Sequence, residues 1–96
     1  MALSGKQRRT LRALGHHLRP VVQVGHSGVT DALVAALEQA LHDHELVKVK
    51  VSENAPGTRA EIASALAAST GSEVAQLLGR TALLYRPRPD DPKIVL

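Results

Sequence analysis

The sequence predicts an α/β domain, α-β-α-β-α-β-β in order, folded in two layers on a mixed four-stranded sheet. Three observations carry that prediction. Amphipathic stretches with cap residues at their starts alternate with short runs rich in valine and leucine. Helical crossovers of that kind imply parallel strands joined by right-handed connections. Leu46-Val47-Lys48-Val49-Lys50-Val51 alternates strictly, which puts the valines on one face and the lysines on the other. A strand buried on both faces would be apolar throughout, so at least at this strand one face of the sheet is expected covered and the other wet and basic. Gly79-Arg80 separates two apolar runs and reads as a hairpin turn of two residues, with the glycine where type II′ needs it.

Each element has local support. Ser4 is a candidate N-cap for a first helix running to about His17. Leu3, Leu11, Leu14 and Leu18 fall near one of its faces. Pro20 blocks continuation and opens the first strand, Pro20-Val21-Val22-Gln23-Val24. Thr30 caps the second helix, with Val29 and Val34 placed as a hydrophobic staple. Asp31 lies in its first turn, where the helix dipole favours a carboxylate. Leu33, Leu37, Ala40 and Leu41 form its apolar stripe, which fades near His44. After the second strand, Glu53-Asn54-Ala55-Pro56-Gly57 is a loop by its breakers. Thr58 and Glu61 have capping-box spacing. The third helix turns Ile62, Ala63, Leu66 and Ala67 inward and ends at Gly71. Strands at about 73–78 and 81–86 follow. The 96 residues make one domain, 1–96, with a core at about 3–88 and an irregular tail at 87–96.

Composition narrows the function. A domain of this size buries roughly 60–65% of its unfolded surface, enough for one modest core. Tyr85 is the only aromatic residue and there is no cysteine. Platforms that stack bases on several aromatic rings are therefore excluded, as are disulfide scaffolds and zinc ribbons. Tyr85 reads as core or edge packing. No apolar run approaches the roughly 20 residues of a membrane span. Lys6, Arg8, Arg9, Arg12 and Arg19 are the only charged side chains among residues 1–30, whereas residues 31–96 hold seven bases and nine acids. That asymmetry describes a local basic patch on a near-neutral body. A helix face that merely contacts water mixes its signs more evenly. A basic, acid-free start is also the composition of an organellar transit peptide. Here the helix leads straight into a strand, and the expected location is cytoplasmic.

Gly25-His26-Ser27-Gly28 sits between the first strand and the second helix. Gly25 and Gly28 are free to take positive φ and to admit a close backbone. The helix N-terminus beyond them favours negative charge. A loop of this kind suits a phosphate, and in KH-type modules a GxxG loop clamps the nucleic-acid backbone. The tetrapeptide by itself is a weak signal, and a plain turn is the alternative. Ser27 either donates to a phosphate or caps the turn. Lys48 and Lys50 either contact RNA on the open sheet face or are ordinary solvated strand lysines. Arg80 and Arg86 pose the same choice.

Other chemistry is weaker. His42 and His44 stand two apart on a helix and would not converge on a metal. The chain has serines, histidines and acids, but no nucleophile elbow, P-loop or Cys–His signature. No catalytic residue, metal, cofactor or small-molecule substrate is expected.

Taken together, the basic first helix, PVVQVGHSGVT, HELVKVKV and GSEVAQLLGRTALLYRP resemble the bacterial YhbY type of CRM domain (chloroplast RNA splicing and ribosome maturation). The resemblance spans about residues 3–88. It implies a fold similar to the C-terminal domain of translation initiation factor three. It also implies RNA binding through Gly25, His26, Ser27 and Gly28 with neighbouring bases, of which Lys6, Arg9 and Arg12 match the first helix. Arg19, Lys48 and Lys50 complete the candidate surface. Stand-alone members of the family are associated with precursors of the large ribosomal subunit, so the expected partner is ribosomal RNA; the small size and basic surface make a monomer the expected state. A non-ribosomal RNA, DNA or a protein-binding adaptor role remain the alternatives.

Overall fold

A computed structural model describes residues 2–96. Its elements are α1 Gly5–Gly15, β1 Pro20–Val24, α2 Asp31–His44, β2 Leu46–Val51, α3 Arg59–Thr70, β3 Glu73–Leu78 and β4 Thr81–Tyr85. The helix starts follow from their caps. Ser4 with Gln7, and Thr58 with Glu61, each form a reciprocal capping box, and the Thr30 hydroxyl accepts from the Leu33 amide. Such caps satisfy amides that no helical carbonyl can reach. Gly71 closes α3 in the left-handed conformation. Gly79 has φ 57 in the β3–β4 turn.

The sheet order is β1-β2-β4-β3. β1 pairs parallel with β2, while β4 pairs antiparallel with both β2 and β3. The mixed four-stranded sheet is thus as expected, with one difference. β2 and β3 run in the same direction but do not pair, because β4 inserts between them. Burial explains the choice. Ala82 through Tyr85 of β4 are all buried, whereas Leu77 and Leu78 of β3 are exposed at the edge.

Two cores lie on opposite faces. Val22, Val24, Val47, Val49, Val51 and Leu84 meet Leu37 and Leu41 of α2 and Ile62 and Leu66 of α3. On the other face, Leu46, Ala75, Leu83 and Tyr85 meet Leu11 of α1, with Leu3 and Ile94 against them. The expectation of a wet, basic second face at β2 is therefore corrected: α1 covers β2, β4 and β3 there. Lys48 and Lys50 suggested open water only because the second face of β2 changes character along its length, from buried Leu46 to exposed Lys50. Gly15 permits the close approach of α1, since a Cβ there would stand 2.7 Å from the Leu83 methyl groups. The register of β3 shifts between Val74 and Gln76. Arg8 Nη1 donates to the Val74 carbonyl beside that bulge at 2.5 Å.

Candidate nucleic-acid interface

The loop of the GxxG tetrapeptide is a closed turn. The Gly28 amide donates to the Gly25 carbonyl at 3.0 Å, which leaves His26 and Ser27 exposed at the apex. The Ser52 amide donates to the Val24 carbonyl at 2.9 Å and Gln23 Nε2 to Ser52 Oγ at 2.6 Å, fixing the base of the turn to the end of β2. The two glycines differ. Gly28 is buried with φ 70, and a Cβ would press to 3.0 Å from Pro56 Cγ. Its identity follows from the fold. Gly25 has no positive φ, and a Cβ there would meet nothing within 4 Å. Gly25 is free to take positive φ but does not, and no neighbouring atom demands a glycine there. Asp31 places a carboxylate in the first turn of α2. An arriving phosphate is repelled there, so the apex of the turn is the better anion position than the helix end itself.

The twelve bases of the chain divide evenly. Lys6, Arg9, Arg12, Arg19, Lys48 and Lys50 make no side-chain hydrogen bond or ion pair among the described residues. The other six are engaged. Arg8 holds the Val74 carbonyl, Arg59 the Gly79 carbonyl, and Arg80 pairs with Glu53 at 3.5 Å. Arg86 Nη1 reaches Glu38 Oε2 at 2.7 Å and the Thr70 carbonyl at 2.9 Å, tying α2 to α3. Arg88 donates to the carbonyls of His42 and Asp43, both at 2.9 Å, and Lys93 to that of Asp43 at 3.4 Å. Arg86 is therefore a tie between the helices and not a free contact.

Of the free bases, Arg19 and Lys50 line one cleft along β1 with Gln23, and Arg19 and Lys48 line the next. That cleft follows β1 toward the turn. Lys6, Arg9 and Arg12 are exposed on α1, which lies over β2, β4 and β3. They extend the basic surface but are not packed against the turn.

The sequence reading missed Glu45. This residue ends α2 with φ 64 and ψ −39, is fully buried, and accepts the amides of Arg88, Lys93 and Ile94 at 2.7, 2.7 and 3.0 Å. Its own carbonyl accepts the Arg86 amide at 2.9 Å. Burial alone would raise the carboxyl pKa; the three amides and the Arg88 charge outweigh it and hold the carboxyl below its ordinary 4.5. The tail is thus irregular but tethered. Tyr85 is buried beside this clasp, and burial followed by the Glu45 charge raises its phenol. One signal was present. An acid stands where a glycine or asparagine commonly ends a helix, immediately before an apolar strand.

A model of the CRS1/YhbY (CRM) domain matches residues 3–86. The chain belongs to the CRM domain family. A probable RNA-binding protein of Pseudomonas aeruginosa is 40% identical over 93 residues, covering 97% of this chain and 89% of the relative. The probable RNA-binding protein YqeI of Bacillus subtilis is 38% identical over 94 residues, covering 98% of each. The solution structure of a hypothetical protein from Staphylococcus aureus superposes with a TM-score of 0.84 at 34% identity, over 99% of both chains. The mixed α/β fold described above is therefore that of a CRM domain. No helix among the described residues is long and apolar enough to cross a membrane.

Proposed function

We propose that this CRM domain binds RNA by its phosphates, at the turn Gly25–Gly28 and along the free cations Arg19, Lys48 and Lys50, with Lys6, Arg9 and Arg12 as a second basic stretch. The observation that carries the reading is Gly25. The fold uses Gly28 internally, but it leaves open space around Gly25. A glycine at an exposed turn with room for a side chain fits a position that another backbone must approach. The family and the names of the relatives support RNA as that backbone. The scarcity of aromatics supports ionic and hydrogen-bonded contact over base stacking on rings.

The RNA in this reading is ribosomal, and the role is assembly of the large subunit in the cytoplasm. Gradient sedimentation of a lysate, with and without ribonuclease, tests it. Migration with immature large-subunit particles, lost on ribonuclease treatment, is the expected result. Protein that stays at the top of a low-salt gradient would move the target to a free RNA.

A further inference from the structure

One apolar surface has no use in the fold or in phosphate contact. Leu14, Leu18 and Val21 are 49%, 38% and 58% exposed. With Leu46, Arg19 and Lys48 they line a cleft of about 440 Å3 between the end of α1 and the start of β1. Two separate features leave it open. α1 buries Leu11 against the sheet and then ends at Gly15, so the next leucines of its apolar face overhang the cleft. The register of β1 also shifts between Pro20 and Val22. Such irregularities re-aim a side chain, and Val21 lines the cleft wall.

We propose that this cleft takes a base of the bound RNA strand, with the adjoining phosphates on Arg19 and Lys48. The proposal rests on the RNA-binding reading above and deepens it. Exposed apolar patches with a polar rim mark binding grooves. Here the rim selects the occupant. Its ionisable residues are Arg19, Lys48 and His44, and no carboxylate lines the cleft. A nucleotide offers the matching pair, a flat ring with apolar faces and an anion close by. Arg19 and Val21 also line the neighbouring cleft, together with Gln23 and Lys50. That path runs along β1, about 16 Å for five residues, and ends at the Gly25–Gly28 turn. One strand of a few nucleotides can therefore lie on the turn and reach the cleft. Tyr85, the only residue of the Phe, Trp and Tyr class, is buried, so the base is held by aliphatic side chains with the His44 imidazole beside them. The competing occupant is an acidic, apolar peptide of a protein partner.

The test compares the native protein with the double variant Leu18→Gln, Val21→Thr, two exposed positions where circular dichroism verifies the fold. Two probes are titrated by fluorescence anisotropy: a random-sequence pool of single-stranded RNA octamers, and an octamer of abasic ribose phosphates. The native protein should bind the pool about tenfold more tightly than the abasic octamer, the scale of burying about 60 Å2 of apolar ring surface. The double variant should bind both at the abasic level, with an unchanged salt slope. If the variant keeps the preference for bases, the base cleft is overturned and the surface passes to a protein partner. If the native protein binds neither octamer, the RNA reading itself falls.

Discussion

Along β1 and β2, Arg19, Lys48 and Lys50 reach no partner among the described residues. At the far edge and at the chain's end, Arg8, Arg86 and Arg88 each donate to backbone carbonyls. The two regions share a residue type and differ in what holds it. Guanidinium groups at the ends of helices and beside bulges satisfy carbonyls that regular structure leaves over. Bases on an open strand surface satisfy nothing inside the protein. Charge counted along the sequence cannot tell these apart, whereas hydrogen bonding can. Removing the engaged groups should cost stability and leave affinity intact; removing the free ones should do the reverse.

The largest effect belongs to the engaged side. Glu45→Ala strands three partly buried amides and should lower stability by about 3 kcal/mol, read by urea unfolding. The same clasp sets a pH dependence. Because the folded carboxyl lies below its ordinary 4.5, the unfolded chain binds protons more readily. The contribution of Glu45 is complete above that ordinary value and is lost as pH falls through the lowered one. Glu45→Gln should flatten this acid limb, and an unaltered limb in thermal melts from pH 6 to pH 3 would remove the clasp from the account.

On the free side, Arg19→Glu combined with Lys50→Glu should weaken RNA binding at least about tenfold at low salt. The melting temperature should stay near that of the native protein. A shared loss of both quantities would break the contrast. The two loop glycines repeat it in miniature. Gly28→Ala should cost about 1–2 kcal/mol, from positive φ and from Pro56. Gly25→Ala should stay within about 0.5 kcal/mol in stability yet weaken RNA binding. Equal behaviour of the pair in melts and in filter binding would show that the turn is architecture alone. The smallest change is a gain. Asp31→Asn removes the carboxylate beside the turn and should tighten RNA binding about twofold, measured at low salt where screening is weak.

Local chemistry was legible in advance. Ser4, Thr30 and Thr58 are caps, and β2 and β3 have the bounds their apolar runs suggested, because those signals lie within a few residues of one another. Non-local choices were not. The placement of β4 between β2 and β3 depends on which strand has the most surface to bury. The seat of α1 depends on Leu11 and Gly15 finding Leu83, which lies far along the chain. Within the candidate site, the turn could be read from its glycines and neighbours. The difference between Gly25 and Gly28 could not, because it is set by Pro56 in another loop. Glu45 was overlooked for the same reason, since its partners come from the last ten residues.

The clasp also bears on where this domain physically ends. The family match stops at residue 86, but the amides that hydrogen-bond the Glu45 carboxylate belong to residues 88, 93 and 94. A chain cut at residue 86 would keep every strand and helix, yet leave a carboxylate uncovered beside Leu46 and Tyr85. The tail that the family model leaves out is part of the packed structure, and the alignments with the Pseudomonas aeruginosa and Bacillus subtilis relatives, over 97% and 98% of this chain, run into it.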